Sequence, residues 1–437
     1  MKKYYKSPLF FVRRIVTISL LAIFASSLFI SCYKSPFKDQ FTEIIYIQTN
    51  NYQKSMNAII AYRNNGDGNL KSFLGGPFYT AGSGIANPGY VQGPNESDGE
   101  IRISNDKKFL LTVNSGSNTI AVFKIYPDGT LSHVPGSPFD SGGETPVSID
   151  IWQQYVLVLN KSNNPQQPAT QKPNITVFRL EGDGSLTPVP GGKYEMPAGS
   201  SPAQVIVSKT QPYVYVSNYL GYSLSPALRP VLSFTISNTG ILSLIDENPY
   251  FIPGQGGALG LCHNWKYNHL YESTGGQRWS VYGIDGYTGK ITFAEEQRAD
   301  VGCSRFHMDN AGNNLYSANS IRNSVSGFPI PNATTIGGKG PLYLKKPGPL
   351  FNTVPGSFYS GSASSQAVSL APSSDDKFLF VVSQHANPDL TIGNYNYLHV
   401  VQLTGDPWGE MRENGDPIQL PVDNNLRPRG IAVLRLN

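Results

Sequence analysis

Two common catalytic signatures are missing from this chain. No glycine-rich phosphate cradle stands before a helix, and no Gly-x-Ser-x-Gly sits at a strand-to-helix turn. The first absence removes nucleotide-binding loops; the second removes the serine-hydrolase elbow. Helical periodicity is absent beyond residue 32, which excludes bundles and alternating α/β folds. His133, His263, His269, His385 and His399 show no repeated ligand spacing such as His-x-x-x-His. Asp67-Gly68, Asp128-Gly129 and Gly182-Asp183-Gly184 lack the carboxylate density of a calcium loop and read as hairpin turns. No metal and no cofactor is therefore expected. Net charge is only +4, and several of the cations lie close to the N-terminus, so nucleic acid is not an expected partner. Cysteine is scarce, with three in all: Cys32, Cys262 and Cys303.

What the chain has instead is a recurring turn. A glycine stands two positions before an aliphatic residue or methionine in Gly68-Asn69-Leu70, Gly129-Thr130-Leu131, Gly184-Ser185-Leu186 and Gly240-Ile241-Leu242. The pattern continues in Gly289-Lys290-Ile291, Gly340-Pro341-Leu342 and Gly409-Glu410-Met411. Successive glycines lie roughly 50 to 70 residues apart, the spacing of a repeat architecture. One unit is plain from residue 100 to 143. Glu100-Ile101-Arg102-Ile103 alternates as a half-buried strand does, and Phe109-Leu110-Leu111-Thr112-Val113 is an apolar strand. Residues 120–125 make a third strand and Thr130-Leu131-Ser132-His133-Val134 a fourth, with Asn, Asp, Ser and Gly turns between them.

Four short antiparallel strands per unit is the plan of a propeller blade. The predicted fold is all-β: a seven-bladed β-propeller over residues 43–437. Its first blade is completed from both ends of the chain. Ile44-Ile45-Tyr46-Ile47 reads as a second strand without an inner one, and residues 428–436 read as an inner strand without a blade. Pairing them leaves no open inner edge. The 25 Tyr, 21 Phe, 44 Gly and 33 Pro suit packed strands joined by many turns.

The N-terminus sets the expected compartment. Lys2, Lys3, Lys6, Arg13 and Arg14 precede an apolar run at 15–30, the layout of an export signal. Phe29-Ile30-Ser31-Cys32 resembles the bacterial lipoprotein cleavage box, with Phe29 where leucine is usual. The resemblance implies cleavage before Cys32, lipid on its thiol and a tether at 33–42. The membrane is then a partner, and the protein is exported and lipid-anchored in the cell envelope. Export would permit a disulfide between Cys262 and Cys303; two buried, unpaired thiols are the other reading.

The unit with Val214-Tyr215-Val216-Ser217-Asn218, a following strand, the Gly-x-Leu turn and Pro135-Gly136-Ser137-Pro138-Phe139 resembles the lactonase-type seven-bladed propellers. These include bacterial 6-phosphogluconolactonases and fungal carboxymuconate cyclases. The resemblance implies an Arg-His pair on an inner strand and a glutamate after the next strand. The corresponding passage is Gly302-Cys303-Ser304-Arg305-Phe306-His307, followed by Asn319-Ser320. Here Phe306 separates the pair, ungapped counting from Asn319 shifts it by one residue, and Ser320 replaces the glutamate. Arg305 and His307 share a strand face by alternation and are the candidate catalytic pair, as cation and base. Glu272, after Leu270-Tyr271, is the candidate carboxylate from the neighbouring blade.

Insertions at 160–172, 219–229 and 385–396 lengthen equivalent connections and should gather on one face. Tyr219, Tyr222, Tyr395 and Tyr397 are candidate ligand contacts there. The leading expectation is a lipoprotein that binds a ligand or protein on one propeller face without retained catalysis. A lactone hydrolase or cycloisomerase acting on a sugar-acid lactone is the alternative; surface adhesion or scaffolding is a third.

Overall fold

The structure, a computed structural model, describes residues 42–73, 75–85, 99–164, 168–219, 229–245, 257–300, 302–345, 365–385, 394–404 and 410–436. Among them there is no helix, and none is therefore long and apolar enough to cross a membrane. The compact unit begins at Thr42. Residues 1–32 and the tether up to residue 41, including Cys32, lie outside the described residues.

Seven antiparallel sheets form the blades. From blade 1 to blade 7 the inner strands are Arg429–Arg435, Ile101–Ile103, Pro146–Trp152, Pro202–Val207, Leu261–Asn264, Cys303–Met308 and Ser365–Pro372. The second strands are Glu43–Gln48, Phe109–Asn114, Tyr155–Asn160, Tyr213–Asn218, His269–Ser273, Asn314–Asn319 and Phe378–His385. The ring closes as the pattern at the two ends of the domain predicts. Ile44 pairs with Leu434, Ile45 with Val433 and Tyr46 with Ala432. Blade 1 is thus held by hydrogen bonds between segments nearly 400 residues apart, and Glu43–Gln48 is paired on both sides.

Every second strand is apolar on both faces because a blade has a neighbour on each side. Leu111 and Val113 pack with Ile149 and Val156 between blades 2 and 3. Tyr271, Trp279, Cys303 and Phe306 pack between blades 5 and 6. Equivalent apolar clusters fill the other five interfaces. Each fully buried Val, Leu, Ile or Phe contributes about 1.5–3 kcal/mol, so interface packing holds the blades in place. The asparagines that end several second strands do a different job. Asn160 donates to the Ser141 carbonyl at 3.1 Å, and Asn218 accepts from the Ser201 amide at 2.8 Å. They tie each blade to the connection that leads into its own inner strand.

The repeated glycine turn is borne out at five positions. Gly68, Gly129, Gly184, Gly240 and Gly289 all have positive φ, between 73° and 90°. At Gly129 a Cβ would also meet Ile44 Cγ1 at 2.6 Å. Gly340 corrects the pattern: it lies inside the strand Lys339–Tyr343 and does not make the turn. The turn of blade 6 comes earlier, around the Asn332–Thr335 bridge. Gly409 is outside the described residues. The Pro-Gly segment after the fourth strand also folds back onto the third strand in blades 1, 2 and 7, through Phe78–Tyr79, Phe139–Asp140 and Ile418–Gln419.

Candidate functional site

The seven inner strands surround a central cavity of about 770 Å³. Their register decides which side chains face it. His307 pairs with Tyr316, and the same level is Cys262 in blade 5, paired with Tyr271, and Asp150 in blade 3, paired with Leu157. It is Arg102 in blade 2, Ile206 in blade 4, Ala371 in blade 7 and Val433 in blade 1. All seven line the cavity. The level two residues earlier carries Arg305, Gln204 and Ser369, also on the cavity wall. Lys209, Gln211, Trp265 and Asn310 line the end where inner and second strands are joined.

A β-bulge controls how Arg305 reaches this wall. Cys303 pairs with Asn319, yet Arg305 pairs with Ala318, so Ser304 is the extra residue. The one-residue shift seen in the sequence is absorbed here, and Arg305 and His307 face the same cavity. Bulges of this kind re-aim side chains beside functional sites. The same irregularity recurs in blades 1, 3, 4 and 7, where it belongs to the scaffold.

Arg305 is buried, and its Nη1 donates to the Ser304 carbonyl at 2.8 Å. His307 is open to the cavity, with Nδ1 2.8 Å from the Met308 carbonyl oxygen. A carbonyl can only accept, so Nδ1 carries the proton and Nε2 keeps its lone pair. Burial deep in the ring pushes the His307 pKa down to about 4, opposed by the Met308 bond and reinforced by Lys209 and Arg102. The imidazole is neutral at pH 7 and its basic nitrogen is available. Lys209 is also lowered, by burial first and by Arg102; Cys262, Asp150 and Asp376 pull it the other way. Its Nζ lies 3.5 Å from the centroid of the Trp265 ring, a cation–π contact. Arg102 pairs with Asp150 at 3.3 Å, and the second Asp150 oxygen accepts from the Val207 amide at 2.8 Å. Among the described lining residues, the wall therefore carries Arg102, Arg305 and Lys209 with the carboxylate of Asp150, which is already engaged, while Asp376, behind Asn310, also acts on Lys209. Its potential favours an anion.

Glu272 does not join this group. It is fully buried on the second strand of blade 5, where it accepts a hydrogen bond from Tyr282, and it does not line the cavity. Alternation turns it into the interface with blade 4, where Leu270 and Tyr282 pack. Burial raises its pKa to about 7, with the Tyr282 and Ser280 bonds opposing the shift.

The described candidate tyrosines, Tyr219, Tyr395 and Tyr397, lie off the cavity as well. Tyr219 follows the second strand of blade 4, half-buried, with its amide bonded to the Ser201 carbonyl at 2.9 Å. Tyr395 and Tyr397 belong to blade 7, where their rings lie 5.5 Å from His385 and 6.2 Å from His399. Tyr222 lies outside the described residues. The described three stand at the ends of second strands or the starts of third strands, opposite the Lys209 end of the channel.

No disulfide joins Cys262 to Cys303. Cys303 sits in the core with Trp279 and Phe306, and burial pushes its pKa up to about 12. Cys262 is at the channel-facing level of His307, so the two thiols occupy different positions on their strands. Arg102, Asp150, Lys209, Trp265 and Cys262 went unrecognised as site residues in the sequence. A signal existed: Ile101-Arg102-Ile103 and Ile149-Asp150-Ile151 each put one polar residue between two apolar ones, and that residue faces the axis.

Fold and cavity together define a seven-bladed propeller with a cationic central channel. The family model for "Lactonase, 7-bladed beta-propeller" matches residues 75–167. A candidate 6-phosphogluconolactonase from Bacteroides fragilis superposes with a TM-score of 0.62 at 16% identity, covering 92% of this chain and 100% of its own. A second, from Bacteroides uniformis, gives 0.63 at 15%, covering 91% and 100%. The periplasmic gluconolactonase of Pseudomonas aeruginosa gives 0.60 at 15%, covering 89% and 99%. No curated protein sequence matches. The chain resembles the lactonase-type seven-bladed propellers, and at these identities the likeness is one of fold.

Proposed function

We propose that this protein is a lipid-anchored propeller of the cell envelope whose central channel binds a small anion of the sugar-acid kind. The observation that carries the reading is the channel wall: among the described lining residues, Arg305, Arg102 and Lys209 stand with one carboxylate, Asp150, which is paired to Arg102. A carboxylate would meet Arg305 at the inner level, and Gln204, Gln211 and Asn310 offer amides to hydroxyl groups. Solved relatives of the same fold that carry gluconolactonase names agree with this ligand class. The anchoring half rests on the N-terminal sequence, with cleavage before Cys32 and lipid on its thiol.

Titration calorimetry with gluconate and glucuronate tests the binding half. Binding should weaken as salt rises and should fall at least about tenfold in Arg305→Met. Equal binding by wild type and variant would sink it. Metabolic labelling with an alkyne fatty acid tests the other half: label should enter the wild type and not Cys32→Ala.

A second reading has its own support. Arg305 and His307 share the channel, and His307 holds an unprotonated Nε2. In lactone opening, Nε2 would take a proton from water while Arg305 stabilises the oxyanion. Turnover of a sugar-acid lactone that disappears in His307→Ala would establish it.

A further inference from the structure

Two carboxylates compete for the Lys209 ammonium. Asp150 and Asp376 both act on its charge, yet its Nζ rests 3.5 Å from the centroid of the Trp265 ring. Each acid is engaged elsewhere: Asp150 with Arg102 and the Val207 amide, Asp376 with Asn310 and the Ala311 amide. A lysine stem is long and flexible, and a free one would fold toward either acid. Trp265 is fixed where it can prevent this. In blade 5, Asn264 Oδ1 accepts from the Lys266 amide at 3.0 Å, and Asn264 Nδ2 donates to the Tyr271 hydroxyl at 3.1 Å, which sets the turn that carries the indole. From blade 6, Asn313 Oδ1 accepts from Lys266 Nζ at 2.6 Å, and a Cβ added to Gly312 would lie 3.4 Å from Trp265 Cζ2. From blade 4, the Lys209 amide donates to His263 Nδ1 at 3.4 Å, so the backbone bearing the cation is tied to the strand that leads to the ring. Ring and cation both line the cavity.

We propose that Trp265 is a positioning residue whose ring holds the Lys209 ammonium at this end of the channel, away from Asp150 and Asp376, so that its charge stays available to an incoming carboxylate. The inference deepens, and rests on, the reading that the channel binds a small anion. The negative face of the indole attracts the ammonium without cancelling its charge, whereas an ion pair with either acid would cancel it. The ring also restricts a side chain rich in rotamers before the ligand arrives, so less freedom is lost on binding. Trp265 acts through Lys209 and needs no contact with the ligand.

A double-mutant cycle on the full chain separates this role from a merely structural one. Gluconate binding is followed by titration calorimetry. Trp265→Leu keeps an apolar filler and should weaken binding about threefold to tenfold. Trp265→Phe keeps a ring and should stay within about twofold of the wild type. In a Lys209→Met background, Trp265→Leu should change the affinity by less than about twofold. Carbon NMR of the chain with its lysines dimethylated gives a second readout, since the ring current shifts a group held over an indole. The Lys209 methyl signal should lie upfield of the other lysines in the wild type and return among them in Trp265→Leu. A Lys209 signal at the ordinary position in the wild type, or the same loss from Trp265→Leu with and without Lys209, overturns the proposal. Binding that is lost in Arg305→Met but unchanged in Trp265→Leu refutes the role of Trp265 and leaves the channel reading standing. A wild type that binds no gluconate refutes the channel reading and the role of Trp265 with it.

Discussion

Glu272 offers the sharpest energetic forecast, because its cost can be worked from its surroundings. Its carboxyl is fully buried and bonded to Tyr282, and its pKa is raised from 4.5 to about 7. Below pH 4.5 the group is protonated in both folded and unfolded chains and has no effect on the balance. Between 4.5 and 7 the unfolded chain releases the proton while the folded one keeps it, so stability falls as pH rises. Above 7 the folded group ionises as well and the loss levels off. At about 1.4 kcal/mol per pH unit, the full loss is about 3 kcal/mol. Glu272→Gln keeps the shape and the acceptor for Tyr282 but cannot ionise. Urea unfolding of both proteins at half-unit steps from pH 4.5 to 8.5 gives the difference directly, because other titrating groups cancel. The variant should gain on the wild type by about 3 kcal/mol across that range. A flat difference, or one of opposite slope, would refute the reasoning.

Two further predictions concern the ring. Gly129→Ala places a Cβ 2.6 Å from Ile44 Cγ1 at a residue with φ of 88°, and it should cost about 1–3 kcal/mol in chemical denaturation; a loss under about 0.5 kcal/mol would contradict the packing described. Glu100→Gln breaks the buried pair with Arg429 (3.4 Å) at the joint of blades 1 and 2, and about 3–5 kcal/mol should be lost in the same assay. An unchanged midpoint would mean that the pair contributes nothing to holding the joint.

The architecture was legible because the repeat carries it. Strand alternation, Gly-turn spacing and the unmatched halves at 44–47 and 428–436 predict the closed ring that the pairing of Tyr46 with Ala432 confirms. Gly340 misled because Pro341 and Leu342 imitate the turn motif inside a strand. The site was legible only in part. Arg305 and His307 could be placed on one face by counting, but the bulge at Ser304 that brings them to the channel depends on pairing with Asn319 and Ala318. Glu272 reads in the sequence as a candidate carboxylate from the neighbouring blade, yet alternation within its strand turns it into a blade interface. Lys209 was overlooked because it lies past the end of an inner strand, and only the packing of successive blades brings it near Cys262 and His307.

The central claim, that inward-facing cations make the channel an anion site, is tested most directly by crystals soaked in sodium bromide and measured at the bromine absorption edge. The account predicts an anomalous peak inside the ring, between Arg305 and Lys209, that is lost in Arg305→Met. Bromide found only on exterior lysines, with the channel empty of it, would contradict the account.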